Sequence, residues 1–486
     1  MNLDLDLDHT RRAVSPRHSP PPTPVRSVLI HGGVTLLWLL LFARAFGGGG
    51  LFAYSVGIAY AAYDTALLVF VAVQTWPLLR RHVQPPADRP LPTLGVIIAA
   101  HNEAASLAVT LDALFAQTSP PDTIIIADDG SDDDTAAVLG RLFALAPPAP
   151  GGMSQAGSLR WLRLPRGGKA QALNAALVIM TDELVLTVDA DTLAEPGAVL
   201  AMRQAFAADP ALVAGTGVLF PVCAPDVSGR LFQWFQTYEY MRNFLSRYAW
   251  GQQDGLLLIS GAFAAYRRRA VLDVGGFDPD CLVEDYELTH RLRDFAAQRG
   301  LGWRTDVIGG AQAHTDAPGT LGTFLRQRQR WFGGFLQTQV WYRHMIGNPR
   351  YGRLGTRMLP VKALDTMQPL YGLTSIALLL ASVVLGHADV AVPAVGVIAA
   401  KIAFDLTFYA WSLLLYRRWL GEAGRVHLGW AMVAGLIEPF TFQPLRHLGA
   451  ALGWASFLTG ARGWGPQVRS GLLRAARVKA AGDALG

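Results

Sequence analysis

Hydrophobic positions in this chain follow two patterns. Long apolar stretches, each long enough to cross a hydrocarbon core of about 30 Å as a helix, occupy residues 27–46, 52–78, 366–386, 390–416 and 428–460. Between the second and third stretches lie short apolar runs such as LGVIIAA, TIIIAD and ELVLTVDA, separated by segments with helical spacing such as SLAVTLDALFAQ. The pattern predicts membrane helices on both sides of an α/β domain.

The middle of the chain, residues 90–320, has the strand and helix alternation of a layered α/β domain with a mostly parallel central sheet. Unbroken apolar strands are those buried on both faces of a sheet. In such sheets, ligands bind just beyond the carboxyl ends of the strands. We therefore expect the functional groups at that edge.

Arginine placement predicts how the flanking segments meet the membrane. Residues 27–80 are predicted to form a helical hairpin, and its two flanks are basic while its turn carries only Arg44, so both flanks should face the cytoplasm. Residues 361–460 should hold the remaining spans. The last stretch would be about 50 Å long as one helix, and Pro439 and Pro444 should break it, which leaves five or six spans in total.

Three further segments complete the predicted organisation. Residues 1–26 are rich in proline and charge and are expected to be a disordered tail. Residues 321–360 are expected to form interfacial amphipathic helices, and residues 461–486 a basic C-terminal tail. The late, paired position of the first apolar stretches argues against a cleaved signal peptide.

Composition agrees with a membrane protein and excludes some partners. The 486 residues are 51% hydrophobic and 16% charged, with a mean hydropathy of +0.26. The net charge of +5 is dispersed and no nucleic-acid motif accompanies it, so no nucleic-acid partner is expected. Cys223 and Cys281 lack metal-ligand spacing, which excludes a disulfide framework and a zinc site of the usual kind.

Two acidic pairs end predicted strands. In TIIIADDGSDDDT, helix capping accounts for Asp132 to Asp134, but not for Asp128 and Asp129 at the strand tip, where buried carboxylates need a partner. In LVLTVDADT, Asp189 and Asp191 project to the same side of an extended chain. Such a pair can bind Mg²⁺ or Mn²⁺, which in turn holds a diphosphate.

The segment LVEDYELTHRLRD places Glu284, Asp285 and Glu287 where a helix begins. Acidic residues stabilise a helix N-terminus by about 0.3–1 kcal/mol. Alternatively, one of them is a general base. The residues by themselves leave both interpretations open.

The segment LRQRQRWFGGF combines an apolar helix face with a polar one. Gln327, Arg330, Trp331 and Gly334 share a sector of a helix, and the phenylalanines lie beside it. An interfacial helix with a snorkelling Arg326 or Arg328 would explain the phenylalanines. It does not explain Gly333 and Gly334, each costing roughly 1 kcal/mol in a helix interior.

Ionisable residues also occur inside the apolar stretches. Lys401 and Asp405 are four residues apart and can pair on one helix face. A passive ion pair between them is favoured over the lining of a channel. Asp64 and Glu438 pose the same question, because intramembrane charges usually face a bundle interior or an aqueous path.

Seven motifs in order, AAHNEAASL, ADDGS, GGKAQALNAAL, VDADT, SGAFAAYRR, VEDYELTHRL and QRQRW, resemble those of the processive family-2 glycosyltransferases, which include cellulose, chitin and hyaluronan synthases. The layout is most similar to bacterial poly-N-acetylglucosamine synthases, and the resemblance covers roughly residues 50–460. It implies a nucleotide-diphosphosugar transferase domain of the GT-A type between transmembrane helices. The implied reaction is an inverting hexosyl transfer from a UDP-sugar to a β-linked polysaccharide, with translocation of the polymer.

The resemblance also assigns roles to residues of this chain. It implies that Asp285, with Glu284, is the catalytic base and that Asp191, with Asp189, binds Mg²⁺ or Mn²⁺. The residues it implies in donor or acceptor binding are His101, Asn102, Glu103, Asp128, Asp129, Lys169, Asp189, Ser260, Gly261, Gln327, Arg330 and Trp331. It also implies that Gly333 and Gly334 leave room for the polymer. Two departures from the family pattern concern the acceptor pocket: Val283 replaces a threonine, and Thr315–Pro318 reads TDAP where many relatives have TEAP.

The implied location is the bacterial inner membrane, with several spans and a cytoplasmic catalytic domain. The implied partners are the UDP-sugar, the polysaccharide acceptor, the lipid bilayer and, as a further candidate, an accessory export subunit. A membrane glycosyltransferase that makes a single transfer to a lipid is the second hypothesis. A catalytically silent scaffold is the third, and it predicts a loss of the acidic residues that this sequence retains.

Overall fold

A single sheet organises the middle of the chain in the computed structural model, which describes residues 6–47, 54–80, 89–421 and 427–460. Within those residues the strands are β1 (Leu94–Ala100), β2 (Thr123–Asp129), β3 (Met153–Ala156), β4 (Leu159–Leu164), β5 (Leu184–Val188), β6 (Thr192–Ala194), β7 (Leu212–Val222), β8 (Phe263–Arg267) and β9 (Arg304–Asp316). Their order across the sheet is β3-β4-β2-β1-β5-β8-β7-β9-β6.

The central strands are parallel where the sequence has unbroken apolar runs. β1 pairs in parallel with β2 and β5, and β2 pairs in parallel with β4. Every residue of β2 and β5 is buried, as expected for strands covered on both faces. β8 runs antiparallel between β5 and β7. The predicted α/β class is thus confirmed, and the sheet is mixed because β3, β6 and β8 run opposite to the other strands.

Helices lie on the sheet and continue into the apolar segments. In chain order they are α1 (Leu7–Val14), α2 (Val25–Gly47), α3 (Ser55–Gln74), α4 (Leu107–Phe115), α5 (Thr135–Phe143), α6 (Lys169–Ile179), α7 (Ala198–Ala208), α8 (Val227–Gly251), α9 (Arg268–Asp273), α10 (Glu284–Arg299), α11 (Leu321–Trp341), α12 (Leu359–Asp365), α13 (Gln368–Val384), α14 (Ala388–Leu420), α15 (Leu428–Ile437) and α16 (Phe442–Thr459). α6 packs on β1 and β2, whereas α7 and α8 pack on β7 and β9. α8 also contacts α3, α14 and α15, so it joins the sheet to the apolar helices.

In the described part of the chain, four stretches are long and apolar enough to cross a membrane: Val25–Arg44, Ser55–Gln74, Leu354–Val384 and Val390–Leu420. The last apolar stretch is divided by a 3₁₀ turn at Glu438–Phe440, as its prolines predict. Among the described residues the expected fifth and sixth spans are not found: α15 has only 10 residues, and α16 has 18 but includes Gln443, Arg446 and His447.

The N-terminal segment is ordered and docks on the α/β domain. Arg11 donates from Nη1 to the carbonyl oxygens of Gly275 and Phe277, at 3.2 and 3.3 Å. Arg17 forms ion pairs with Asp278 (3.0 Å) and Asp280 (2.7 Å). The predicted disordered tail at 1–26 is therefore wrong from residue 6 onward, because the charges that suggested disorder have partners more than 260 residues away. Residues 1–5 and the basic tail at 461–486 lie outside the described residues.

Charged groups in the apolar helices are paired with one another. The contact predicted between Lys401 and Asp405 is present, and Lys401 Nζ also lies 2.6 Å from Asp64 Oδ2 on α3. Glu438 pairs with Arg242 of α8 and accepts a hydrogen bond from the Tyr409 hydroxyl. These contacts connect α3, α8, α14 and the 3₁₀ turn before α16.

Helices α11 and α16 approach each other closely at glycine. A Cβ added at Gly453 would lie 2.7 Å from Phe332 Cβ, 2.9 Å from the Gly333 nitrogen and 3.0 Å from the Gln329 carbonyl oxygen. Two of these three atoms belong to the backbone and cannot move aside as a flexible side chain can. The contact therefore requires the absence of a side chain at residue 453.

We predict that Gly453→Ala separates the two helices and lowers the free energy of unfolding by about 1–3 kcal/mol, the usual cost of overpacking. Thermal unfolding of the protein in detergent measures this as a lower midpoint. Gly322→Ala on α11 is the matched control, because its nearest neighbour is Arg326 Nη1 at 3.6 Å. The control should leave the midpoint unchanged or raise it. Equal midpoints for both variants would contradict the close approach.

Candidate active site

The candidate site lies beyond the carboxyl ends of three neighbouring parallel strands. His101 follows β1, Asp129 ends β2, and Asp189 follows β5. Ala100 of β1 pairs with Asp128 of β2, so the ends of these strands are level. The sheet therefore brings together the acidic and polar motifs that the sequence places at strand ends.

Asp129 holds the loop that precedes α6. Its carboxylate accepts hydrogen bonds from the backbone N–H groups of Gly167 (2.6 Å) and Gly168 (3.0 Å) and pairs with Arg166 at 2.7 Å. Gly168 has a φ of 97°, which favours glycine at this position. These contacts hold the turn that precedes Lys169, the first residue of α6. The nucleotide contact predicted for Asp129 would be a further role of the same residue.

The Asp128 carboxylate is buried and hydrogen-bonded inside the protein. Its side chain accepts from the Ser131 N–H at 2.8 Å and from the indole N–H of Trp161 at 3.2 Å, and it is 2% exposed. Burying a carboxylate is tolerable when hydrogen bonds satisfy it. The structure thus favours a structural role for Asp128 over the predicted ligand contact.

The loop after β1 is joined to the loop after β2. His101 donates from Nδ1 to the Asp129 carbonyl oxygen at 3.0 Å. Asn102, with a φ of 57°, exchanges hydrogen bonds with Asp132 through its amide nitrogen (2.6 Å) and oxygen (2.9 Å). The Glu103 N–H donates to Thr135 Oγ1 at 3.2 Å. The motif His101–Glu103 therefore forms, with the loop after β2, one rim of the candidate site at the carboxyl ends of the strands.

Lys169 connects the strand edge to the start of α10. Its Nζ lies 2.6 Å from Asp189 Oδ1 and 3.4 Å from Glu284 Oε1. Burial by itself would lower the pKa of Lys169, but the carboxylates of Asp189 and Glu284 outweigh burial and raise it. The ammonium group thus stays charged between carboxylates contributed by β5 and α10.

Asp285 is held by the loop that contains Ser260 and Gly261. The Gly261 N–H donates to Asp285 Oδ2 at 2.6 Å, and a Cβ added at Gly261 would lie 3.0 Å from that oxygen. The Ser260 N–H donates to Thr216 Oγ1 at 3.3 Å, which anchors the loop to β7. A residue without a side chain is needed at position 261 so that the backbone can approach the carboxylate.

The environment of Asp285 makes it a stronger base than an exposed aspartate. Burial and the neighbouring Glu284 carboxylate raise the pKa of Asp285, whereas the Gly261 N–H and the Lys169 ammonium oppose the rise. The raised pKa brings the carboxylate closer to the value that suits proton transfer near neutral pH. Glu284 and Asp285 both lie at the start of α10, but only Glu284 forms an ion pair with Lys169. This difference in surroundings gives the two carboxylates a physical basis for different roles.

Helix α11 contacts the segment just before the acidic pair. Arg330 Nη1 lies 3.4 Å from the Leu282 carbonyl oxygen, and the Leu282 N–H donates to Gln337 Oε1 at 3.3 Å. Trp331 packs against the buried cluster that includes Val283 and Tyr286, while Gln327 Oε1 is buried without a hydrogen-bond donor among the described residues. The QRQRW motif and the acidic motif are thus neighbours, as their predicted roles require.

The glycine doublet on α11 does not leave room for a polymer. A Cβ added at Gly334 would lie 2.5 Å from Val283 Cγ2, and one at Gly333 would lie 3.5 Å from the Gly453 carbonyl oxygen. The predicted space is wrong because it is filled by Val283 on one side and by α16 on the other. Val283, the departure from the family's threonine, is accommodated by this glycine.

Arg328 does not snorkel toward the membrane surface, as it could in the alternative of a plain interfacial helix. Arg328 is 8% exposed and pairs with Glu239 of α8 at 2.6 Å. Its guanidinium carbon lies 4.4 Å from the centroid of the Trp331 ring, a cation–π geometry. Arg328 and Glu239 are thus site-supporting residues that sequence reasoning missed, and only their contact across two helices identifies them.

Two comparisons with known sequences agree with this geometry. Residues 95–275 match the family model described as Glycosyl transferase family 2. A poly-beta-1,6-N-acetyl-D-glucosamine synthase of Staphylococcus epidermidis is 27% identical over 248 residues, which are 50% of this chain and 54% of the relative. A synthase of the same name from Staphylococcus aureus (strain COL) is 28% identical over 241 residues, which are 49% and 53% of the two chains. The matched region spans about half the length of these relatives.

A solved structure is similar in fold. The mannosyltransferase PcManGT from Pyrobaculum calidifontis, in complex with GDP-Man and Mn²⁺, superposes with a TM-score of 0.53 and 20% identity, covering 80% of this chain and 99% of that one. Its fold supports the GT-A type predicted from the motifs. Residues 95–275 are therefore similar to a glycosyltransferase family 2 domain, and the chain resembles the poly-β-1,6-N-acetyl-D-glucosamine synthases over about half of its length.

Proposed function

We propose that this chain is a membrane-integrated inverting glycosyltransferase that adds sugar from a UDP-sugar to a growing β-linked exopolysaccharide. A polymer like poly-N-acetylglucosamine is the preferred product, on the resemblance to synthases of that name. The observation that carries the proposal is the placement of Asp285. Its carboxylate has a raised pKa, accepts from Gly261 and begins the helix that also places Glu284 near Lys169.

In the proposed reaction, the acceptor hydroxyl gives its proton to Asp285. The resulting oxygen nucleophile attacks the anomeric carbon opposite the bond to UDP, so the new C–O bond forms as the bond to the diphosphate breaks and the configuration inverts. Negative charge develops on the leaving diphosphate. We propose that Lys169 and Arg330 stabilise that charge, and that the rim at His101–Glu103 with Asp129 binds the nucleotide.

The acidic residues after β5 fit a divalent cation. Asp189 and Asp191 contribute hard oxygen donors, and no group of three metal-ligating side chains occurs in the residues the structure describes. Two carboxylates suit Mg²⁺ or Mn²⁺, which can take further ligands from phosphate and water. When bound, the ion would neutralise charge on the diphosphate. We propose Asp191 as the principal ligand, with Asp189 shared between the ion and Lys169.

The membrane placement we propose follows from both ends of the hairpin. The N-terminal segment contacts the α/β domain through Arg11 and Arg17, and Gln74 at the end of α3 accepts a hydrogen bond from Gln253 at 2.7 Å. Both ends of the α2–α3 hairpin therefore adjoin the same domain. Since arginine flanks favour the cytoplasm, we propose a cytoplasmic catalytic domain at the bacterial inner membrane, with polymer export through the helices and an accessory subunit as a further partner.

A single-transfer glycosyltransferase that modifies a lipid is the alternative. It would share Asp189, Asp191 and Asp285 but has no need for a tryptophan beside the base. Trp331 packs against the cluster that contains Val283 and Tyr286, on either side of the acidic pair. Because a sugar ring can stack on an indole face, this position favours repeated use of a saccharide acceptor.

The proposal predicts that the purified protein, given UDP-N-acetylglucosamine with Mg²⁺ or Mn²⁺, releases UDP and forms long saccharides. UDP-glucose and UDP-glucuronate serve as comparison donors. Product length is measured by gel separation or mass spectrometry, and UDP by a coupled assay. A lipid-linked monosaccharide would establish the alternative, and the absence of UDP release with every donor would refute the enzymatic proposal.

Asp285→Asn should abolish transfer while stabilising the fold. The folded-state pKa of Asp285 is raised, so the folded protein binds this proton more tightly than the unfolded chain does. Stability from this group is therefore present at low pH and is lost as the pH rises from about 3.9 through the raised pKa. At neutral pH the ionised carboxylate costs free energy that asparagine does not, and the Asn oxygen can still accept from Gly261.

Activity assays and thermal unfolding at pH 7 test this pair of effects. Asp285→Asn should lower the rate by a factor of about 10² or more and leave the unfolding midpoint equal or higher. Asp112→Asn, on α4, is the control for loss of a carboxylate and should retain activity. Full activity in Asp285→Asn would show that the base has been assigned incorrectly.

Trp331→Ala should abolish elongation and leave binding of the UDP-sugar largely intact, because the indole is proposed to contact only the acceptor. Product length and the donor dissociation constant are measured on the same preparation. Trp430→Ala, on α15 and 62% exposed, is the control. If Trp331→Ala weakened donor binding as much as elongation, the helix would have a purely structural role.

A further inference from the structure

The two aspartates that fit a divalent cation lie on a turn rather than on an extended strand. β5 ends at Val188, and the Thr192 N–H donates to the Asp189 carbonyl oxygen at 2.9 Å, which closes a four-residue turn. We call residues 189–192 the aspartate turn. An extended chain would place Asp189 and Asp191 on one side by alternation. In a turn this alternation is lost, so the relative position of the two carboxylates depends on what holds the turn.

Helix α4 holds the middle of the aspartate turn. The Thr110 hydroxyl donates to the carbonyl oxygen of Ala190, the residue between the two aspartates, at 2.8 Å. Thr110 and Ala190 are both buried. A buried carbonyl oxygen that loses its donor is costly, so this hydrogen bond favours one orientation of the peptide group that joins Ala190 to Asp191.

The last residues of β9 hold the end of the aspartate turn. Thr192 and Thr315 are opposite each other in the β6–β9 pair, and their buried hydroxyls are hydrogen-bonded at 2.9 Å. The Asp316 N–H donates to the Asp191 carbonyl oxygen at 3.3 Å. The segment Thr315–Pro318, which the resemblance associates with the acceptor pocket, is thus in contact with the aspartate turn.

The start of the aspartate turn is joined to the loop that holds the proposed base. The Asp189 N–H donates to the Ala262 carbonyl oxygen at 3.1 Å. The preceding residue, Gly261, donates from its N–H to the Asp285 carboxylate. Adjacent residues of one loop therefore support the aspartate turn and the base. The turn is held at its start, middle and end by three elements that are distant in sequence.

We propose that Thr110 and Thr315 are positioning residues, whose hydroxyls fix the aspartate turn so that the carboxylates of Asp189 and Asp191 are presented together to Mg²⁺ or Mn²⁺. This inference rests on the proposed function, in which these carboxylates bind the ion. Each hydroxyl bonds to the turn, so its loss loosens the arrangement of the ligands without removing a ligand. Valine has nearly the shape of threonine and would serve equally well if packing were the only requirement.

Binding of Mn²⁺ alone to the full-length protein in detergent tests the inference without turnover, with free Mn²⁺ measured by electron paramagnetic resonance. Thr110→Val should raise the Mn²⁺ dissociation constant by about tenfold, the lower end of the effect of groups that orient metal ligands. Thr110→Ser keeps a hydroxyl and should bind close to the wild-type value. Asp191→Asn should abolish binding. If Asp191→Asn bound Mn²⁺ as the wild type does, the ion would lie elsewhere and the inference would be overturned.

A double-mutant cycle tests the hydroxyl pair. Thr315→Val and Thr192→Val should each weaken Mn²⁺ binding, and the double variant should bind no more weakly than either single variant, because the two hydroxyls bond to each other. Additive losses would show that the two threonines act independently, and Thr315 would then not act through the aspartate turn.

A matched control separates this effect from a general loss of stability. Thr305, near the other end of β9, is also buried, and its hydroxyl donates to the Leu256 carbonyl oxygen at 2.6 Å. Thr305→Val and Thr110→Val should both lower the thermal unfolding midpoint, but only Thr110→Val should weaken Mn²⁺ binding. Equal weakening in the two variants would assign the threonines to stability and overturn the inference.

The metal dependence of UDP release gives a second readout. In Thr110→Val and Thr315→Val, the Mn²⁺ concentration for half-maximal rate should rise, and the rate at saturating Mn²⁺ should return toward the wild-type value because every ligand is retained. A rate lowered equally at all Mn²⁺ concentrations would contradict the inference. If the wild type binds Mn²⁺ but releases no UDP from any donor, the proposed function fails, and the dissociation constants still decide the role of the threonines. A wild type that does not bind Mn²⁺ would overturn the inference.

Discussion

Helix α11 can approach both α16 and the segment before Asp285 only because it meets each of them at a glycine. Gly334 faces Val283, two residues before Asp285, and Gly333 faces Gly453 of α16. A methyl group at Gly334 or Gly453 would overlap atoms of the neighbouring element. The position of Asp285, the proposed base, therefore depends on packing against α16 in the apolar C-terminal part of the chain. Helix α11, which carries the QRQRW motif, lies between them.

Buried charges extend this connection. Arg328 on α11 pairs with Glu239, Glu239 with Arg446 at 3.3 Å, and Arg446 with Glu438 at 3.3 Å, which also pairs with Arg242. Such a series of ion pairs contributes little net stability, because desolvation offsets the Coulomb attraction. Removing one side chain from the series would leave an uncompensated buried charge. The ion pairs therefore act mainly by favouring one arrangement of α8, α11 and α16 over others.

The docked N-terminal segment adds a second connection between the sheet and the apolar helices. Arg11 and Arg17 contact the loop that precedes the acidic motif, and the Arg17 guanidinium lies 5.1 Å from the Trp341 ring at the end of α11. The segment Phe277–Glu284 is thus bounded by the N-terminal segment on one side and by α11 on the other. Asp285 directly follows this segment, which is held on both sides. A fixed position suits Asp285 because its pKa depends on groups close to it.

Local pattern by itself determined the α/β class, the acidic residues at strand ends, the break near Pro439 and the positions of the apolar helices. These features depend on residue type and short-range spacing, which the sequence displays directly. Only the tertiary structure decided which charges pair: Lys169 with Glu284, Arg328 with Glu239, and Arg17 with Asp278. The same is true of the filled space beside Gly334 and of the hydrogen bonds that bury Asp128. Charge pairing and close packing depend on distances between residues far apart in the chain, and those distances exist only once the chain has folded.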